Sequence, residues 1–370
     1  MAEEKIVAED ILRVEDLRTY FYSFTKEAFI RAVDGVSFNI KKGEVLGIVG
    51  ESGCGKSITA QSIMGLITDG PGIITGNIFL NNNGNTVNLL DGLPDYASIK
   101  KKRKAIYEIS KDVLGWQKRS ETLMNGIRGM VISMIFQNPK SALNPFMPIG
   151  EQIAESIMLH KAIATKKEAL SFAAAWLERV QIDSPNMRLY DYPFSLSGGM
   201  CQRIMIAMSL SSEPSLLIAD EPTTGLDVTI QTKIIELLKK LKEELNLTIL
   251  LITHDMGVIM QLADKIAVMY GGKIVEYGLK REIMDNDSFI RHPYTIALLN
   301  SLPTIEEIRA KERLRAIKGD VPDTITLYRG CRFYDRCTLK NDRIKNKCKE
   351  SEPEMIEIGT GHLMRCWLAE

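Results

Sequence analysis

The segment Gly50-Glu51-Ser52-Gly53-Cys54-Gly55-Lys56-Ser57 narrows the fold of this chain more than any other. It has the spacing G-x-x-x-x-G-K-S, directly after the apolar run Val45-Leu46-Gly47-Ile48-Val49 and directly before the helix-compatible stretch Ile58 to Leu66. A strand, a glycine loop and a helix in succession predict an α/β core whose loop wraps phosphate with backbone N–H groups, helped by the dipole of the helix N-terminus. In this reading Gly50, Ser52, Gly53, Cys54, Gly55 and Ile58 belong to the phosphate cradle. Lys56 reaches the outer phosphates and Ser57 ligates Mg²⁺. A glycine-rich turn with an exposed lysine is the alternative, and the acidic residues downstream weigh against it.

Those residues end the apolar run Leu216-Leu217-Ile218-Ala219, which has the character of a buried parallel strand. Asp220 is suited to hold Mg²⁺ through water, and Glu221 adds a carboxylate that can orient or deprotonate an attacking water. Between loop and strand lies Leu196-Ser197-Gly198-Gly199-Met200, ahead of a helix-compatible stretch to Leu210. A hydroxyl and two N–H groups without side chains, at a helix start, make an anion-binding cap.

Taken together, these segments resemble the ABC-type ATPases, and Ser197-Gly198-Gly199 is the decisive part, because a phosphate loop with an acidic strand occurs in many other ATPases. The resemblance implies an α/β P-loop NTPase cassette with a RecA-like core, an antiparallel β subdomain and an α-helical subdomain. It also implies that Ser197, Gly198 and Gly199 of one subunit cap ATP held by the loop of another. Gln137, in Phe136-Gln137-Asn138-Pro139, matches the glutamine that reaches the metal and the attacking water. Asp227 matches the aspartate of the dimer interface, and His254, after the strand-like Thr248 to Ile252, matches the histidine that contacts the γ-phosphate. An aromatic side chain from an early strand stacks on adenine in this family; Phe21 fits best, with Tyr20 and Tyr22 as rivals. Met200 departs from the commoner glutamine without removing the serine and glycines.

At 370 residues with one phosphate loop, the chain has room for a single cassette and an appendage. A formal net charge of zero at pH 7 argues against a nucleic-acid partner. No apolar run approaches about 18 residues and the start MAEEKIVAED lacks signal-peptide character, so the expectation is a peripheral protein at the cytoplasmic face of the cell membrane. The expected division is an ATPase domain over residues 1–280, with a helical subdomain at about 138–211, followed by a C-terminal region over 281–370. Residues 91–128 are expected to form a largely helical insertion carrying Lys100-Lys101-Lys102-Arg103-Lys104, either a solvated face or a contact for anionic lipid.

Within the C-terminal region, Arg291-His292-Pro293-Tyr294-Thr295 resembles a segment of the oligopeptide and dipeptide permease ATPases, and locally predicts a helix opened by a proline near its first position. That subfamily also shares LSGGM and the pattern FQ-x-P-x-x-x-LNP, matched by Phe136 to Pro145. Of six cysteines, Cys54 and Cys201 look like small packing residues, while Cys331, Cys337, Cys348 and Cys366 gather in the final stretch. With little apolar content around them, these four suggest a small loop-rich, metal-bearing domain. Spacings of five, ten and seventeen residues lack the C-x-x-C pair of most structural zinc sites, which favours iron–sulfur over Zn²⁺. The subfamily resemblance likewise implies a [4Fe–4S] cluster on these four cysteines, with His362 as a possible substitute ligand.

The expected function is that of the ATP-hydrolysing subunit of an importer for di- or oligopeptides. Its expected partners are two transmembrane permease subunits, a second ATPase subunit, identical or related, and, indirectly, a solute-binding protein. Nickel or oligosaccharide cargo remains open. A soluble ATPase acting on DNA, ribosomes or Fe–S assembly would instead show a coiled-coil insertion, a second cassette or a basic groove. A metal-sensing module with residual nucleotide binding would not require Glu221 and His254.

Overall fold

The chain divides into two units, one built from residues 1–40, 45–123 and 253–370, the other from 41–44 and 124–252. The structure is a computed structural model that describes residues 10–369 apart from 68–71, 83, 104–105, 162, 164, 285–289, 302–316 and 327.

In the first unit, strands β1 (Asp10–Ser23), β2 (Ala28–Lys41), β4 (Ile73–Asn82) and β5 (Asn85–Asn88) form a sheet in the order β2-β1-β4-β5. Its buried positions alternate along the second half of β2, where Asp34, Val36, Phe38 and Ile40 are inside, as the two-residue period of a strand with one covered face requires. A second set of strands runs in the order β13-β14-β12-β11-β3, comprising β3 (Val45–Val49), β11 (Lys265–Tyr270), β12 (Lys273–Leu279), β13 (Ile356–Gly359) and β14 (His362–Met364). β3 is buried throughout and pairs in parallel with β11, so its run of apolar residues without alternation is that of a strand covered on both faces. Helices α1 (Lys56–Ile63), α9 (Met256–Leu262), α10 (Lys280–Met284) and α11 (Pro293–Leu299) belong to the same unit.

Residues 91–128 differ from expectation. They contain an antiparallel hairpin, β6 (Ala97–Arg103) with β7 (Ile106–Lys111), in which Ile99 faces Ile109, and only then helix α2 (Val113–Met124). Isoleucines that pair across the hairpin support a strand where the lysine run suggests a solvated helix. Lys104 lies outside the described residues.

The second unit has β8 (Ile132–Ile135), β9 (Leu216–Asp220) and β10 (Thr248–Thr253), parallel and in the order β10-β9-β8. Its helices are α3 (Pro139–Ala142), α4 (Ile149–His160), α5 (Lys166–Arg179), α6 (Pro185–Arg188), α7 (Gly198–Leu210) and α8 (Val228–Leu245). α5 opens on Thr165, whose hydroxyl accepts from the Glu168 amide, a T-x-x-E start that satisfies one of the free N–H groups of the first turn. α8 buries Ile234, Ile235, Leu237, Leu238 and Leu241, a stripe at helical spacing, and ends on Asn246 at φ 49°.

The cysteine-bearing segment corrects a second expectation. It does not stand apart as a small domain without a core, but is built into the first unit. β14 adds to the edge of β12, with Glu276 opposite Met364 and Tyr277 opposite Leu363. Phe333 packs edge-on to Tyr270 with centroids 5.1 Å apart and lies 5.4 Å from Tyr294. Arg332 reaches Asp34 and the Gly271 carbonyl, and the Arg31 amide donates to the Thr324 carbonyl at 3.0 Å. The borrowed apolar surface and paired charges come from residues far upstream, which local composition does not reveal.

Candidate active site

The spacing of the glycine loop follows from its neighbours. A Cβ on Gly50 would lie 2.1 Å from the Met269 carbonyl oxygen on β11, and one on Gly55 would lie 2.1 Å from that of Ala32 on β2. Gly55 also has φ 104°, closed to most side chains, so the loop presses against two core strands at points where only glycine fits. Gly53, at φ 80°, would meet nothing within 4 Å if it carried a Cβ, so its glycine answers to backbone conformation alone. Lys56 is 4% exposed, and its ammonium donates to the carbonyls of Gly50 at 2.8 Å and Glu51 at 3.1 Å. A buried cation thus sits among the backbone groups of the loop. Cys54 is buried beneath it, its thiol pushed up by burial and partly drawn back by Lys56. Ser52 and Gly53 are exposed, and Ser57 and Ile58 are half-buried at the helix start.

The aromatic candidates separate by face. Tyr22 is buried, with its ring 5.2 Å from Phe29, and Tyr20 packs against the same cluster while its hydroxyl donates to Asp34. Phe21, between them on β1, points the other way by strand alternation and is half-buried.

In the second unit, Asp220 and Glu221 are 4% and 8% exposed at the end of β9. Glu221 has φ 48°, a strained conformation for a residue with a side chain, and its amide donates to the Ile252 carbonyl at 2.7 Å. Gln137 Nε2 and Thr224 Oγ1 both donate to Glu221 Oε2 at 2.8 Å. Two of the three expected catalytic residues are therefore in direct contact. A carboxylate held from two sides has one orientation, as a group that must aim at a water requires. The third, His254, is exposed just beyond β10.

Ser197 caps α7, its hydroxyl accepting from the Met200 amide at 3.3 Å. The two glycines beside it differ. A Cβ on Gly199 would lie 2.8 Å from Ile230, whereas one on Gly198 would meet nothing closer than Leu226 at 3.6 Å. Asp227 caps α8 through the Ile230 amide at 2.9 Å, so it has a structural duty in addition to any at an interface.

The His-Pro-Tyr-Thr segment is tied to the glycine loop, a link its sequence does not signal. His292 caps α11, its Nδ1 accepting from the Tyr294 amide at 3.1 Å, and Pro293 occupies the first helical position. Acceptance at Nδ1 requires an unprotonated nitrogen there, and full burial lowers the His292 pKa to about 3. Tyr294 accepts from the Glu51 amide at 2.9 Å through its hydroxyl, whose pKa burial raises. Thr295 and the His292 amide both donate to Oε2 of the fully buried Glu276, while His362 Nε2 lies 2.8 Å from Oε1. His362 is thus paired through Nε2 with this carboxylate.

Burial pushes the Cys331 thiol up to about 12, with further contributions from Cys366, Cys348 and Cys337, and pushes Cys366 up to about 11. The four thiols are close enough to feel one another's charge. Among the described residues, however, no group of three or more His, Cys, Asp or Glu is placed to hold a metal ion, so the expected metal-bearing domain is not borne out. Nor is there a helix long and apolar enough to cross a membrane among the described residues.

The chain matches the ABC transporter family over residues 33–224 and the oligopeptide/dipeptide transporter C-terminal region over 275–343. It is 44% identical to the oligopeptide transport ATP-binding protein AppD of Bacillus subtilis, covering 97% of each chain. It is 40% identical to the dipeptide transport ATP-binding protein DppD of the same organism, over 98% of this chain and 96% of that one. Among solved structures, a dimeric ATP-binding cassette in a post-hydrolysis state with ADP and Pi superimposes with a TM-score of 0.56 at 25% identity, over 72% of this chain and 98% of that one. The chain belongs to the ABC transporter family of ATP-binding proteins, in the branch that carries the oligopeptide/dipeptide transporter C-terminal region.

Proposed function

We propose that the chain is the ATP-hydrolysing subunit of an importer for di- or oligopeptides, acting peripherally at the cytoplasmic face of the cell membrane with two transmembrane permease subunits, a second ATPase subunit and a solute-binding protein. The observation that carries the hydrolytic reading is the convergence of Gln137 and Thr224 on Glu221. Glu221 takes the proton of the attacking water, and Gln137 reports to it whether metal and water are in place. Gly50 and the stretch from Ser52 to Ile58 hold the phosphates, with Lys56 on the outer ones, and Phe21 stacks on adenine. Bound Mg²⁺ supplies charge neutralisation at the phosphates; Ser57, Gln137 and Asp220 are the residues to hold it. His254 contacts the γ-phosphate. Ser197, Gly198 and Gly199 face the nucleotide of the second subunit. The internally unexplained glycine at 198 supports that reading, since it leaves the backbone open to an outside group. Asp227 belongs to the same dimer contact.

Four thiols within reach of one another's charge support uptake of a [4Fe–4S] cluster, or alternatively Zn²⁺, by Cys331, Cys337, Cys348 and Cys366. No step of the ATPase cycle depends on it. Iron and zinc contents of protein purified without oxygen test this, with absence of both ending the proposal.

The function is tested with Glu221→Gln. The variant is expected to bind ATP, form a trapped dimer on size exclusion and lose phosphate release by about 10²–10⁴-fold. A strain lacking the gene should lose uptake of labelled peptides, regained with the wild type and not with the variant. Normal turnover in the variant removes Glu221 from its role.

A further inference from the structure

The glycine loop carries a carboxylate, Glu51, although the loop is read as a polyanion site and like charges repel. Glu51 is held at both its ends by residues beyond position 290. Its amide donates to the Tyr294 hydroxyl at 2.9 Å. Its carboxylate accepts a bidentate pair from Arg336, Nη1 to Oε2 at 2.6 Å and Nη2 to Oε1 at 2.9 Å. The Arg336 side chain is 5% exposed, against 25% for Glu51, so the pair is shielded on the arginine side.

Arg336 is itself fixed. Its Nε donates to the Lys318 carbonyl at 3.0 Å, Nη1 also donates to the Tyr270 hydroxyl at 3.2 Å, and its guanidinium lies 5.7 Å from the Tyr270 ring centroid and 5.9 Å from that of Phe333. Burial pushes the Tyr270 hydroxyl up to about 12, so it stays a neutral partner. A further backbone bond, from the Gly272 amide to the Cys54 carbonyl at 3.0 Å, fixes the other side of the loop.

We propose that Arg336 is a positioning residue for nucleotide binding, which neutralises and orients Glu51 so that the glycine loop presents an anion-accepting face to the triphosphate. The C-terminal segment is then a working part of the nucleotide site in the same unit. This rests on the ATP-binding reading above. Arg336 acts through Glu51, so its removal is harmful chiefly because an unpaired carboxylate is left in the loop. Lysine is a poor replacement, since it keeps a point charge and loses the fork that holds both carboxylate oxygens.

The test is a double-mutant cycle on the full-length protein, with affinity for a fluorescent ATP analogue, KM and kcat for ATP, and the salt dependence of binding as readouts. Arg336→Gln is expected to weaken analogue binding and raise KM about tenfold while kcat at saturating ATP stays within about twofold. Glu51→Gln alone should bind at least as well as the wild type. The double variant should return to within about threefold of the wild type, because the repelling charge has gone. Arg336→Lys should lose about threefold, a loss that also vanishes beside Glu51→Gln, and it carries the test if Arg336→Gln does not fold. Unchanged affinity in both Arg336 variants overturns the proposal. So does an equal loss with and without Glu51, which would make Arg336 a packing residue only. Failure of the wild type itself to bind the analogue, or binding indifferent to Lys56→Ala, would instead overturn the ATP-binding reading.

Discussion

Replacing His362 by alanine should loosen the C-terminal segment from the first unit. Glu276 is fully buried on β12, and its carboxylate has three donors, of which His362 is the one on Oε1. Removing one partner of a buried pair costs about 3–5 kcal/mol, much of it from the carboxylate left behind. Here Oε2 keeps the Thr295 hydroxyl and the His292 amide, so the lower end applies, about 3 kcal/mol. At about 2–4 °C per kcal/mol for a unit of this size, melting should fall by about 6–12 °C. Limited proteolysis should cut around β13 and β14 sooner than in the wild type. Glu276→Gln combined with His362→Ala should recover most of the loss, since no charge is left unpaired. A His362→Ala melt within about 1 °C of the wild type, or an equal loss beside Glu276→Gln, would refute the reasoning.

Lys56→Ala should weaken nucleotide binding by the isolated chain, whereas Ser197→Ala should leave that affinity intact and impair ATP-driven dimer formation, after losing about 1 kcal/mol of helix cap; equal affinities in titrations of both would contradict the division. Gly50→Ala should lower both nucleotide affinity and melting temperature, because its Cβ meets the Met269 carbonyl at 2.1 Å, and normal binding would show that the loop can shift. His292 titrates at about 3 when folded and 6.5 when unfolded, so its contribution is complete above pH 6.5 and is lost progressively as pH falls toward 3, by up to about 1.4 kcal/mol per unit. His292→Asn, which keeps a capping acceptor, should therefore show a shallower decline in melting temperature between pH 6 and 4; parallel curves would count against it.

Much of the core is legible in the sequence because its signals are local. The apolar runs at Val45–Val49 and Leu216–Ala219 need only burial on both faces to become strands, and 149–160 and 166–179 carry helical periodicity, the second behind a Thr165 cap. Glu221 is singled out by its place at the end of an apolar strand and Gln137 by resemblance, and the two meet. The hairpin at 97–111 escapes a reading of the sequence because a lysine run obscures the pairing of Ile99 with Ile109. The anchoring of the cysteine segment escapes it for a different reason: Arg336 and Glu51 are 285 positions apart, and each alone is an ordinary charged residue. The pairing of His362 with Glu276 escapes it likewise, since the two lie 86 positions apart and the strand that holds Glu276 does not advertise a buried carboxylate.

The pairing of β14 with β12 also fixes an order of events at the ribosome. β3, β11 and β12 are complete once Leu279 has emerged, but the edge of β12 gains its neighbour only with His362 to Met364. At roughly 5–20 residues per second, synthesis of the intervening stretch lasts on the order of ten seconds. Throughout that interval the nascent chain displays a row of unpaired N–H and C=O groups and a carboxylate still lacking its imidazole, a template for strands of neighbouring chains. Translation arrested before Ile356 should thus yield a species prone to aggregate, and occupancy of that edge by a chaperone would be most valuable just before the hairpin is made.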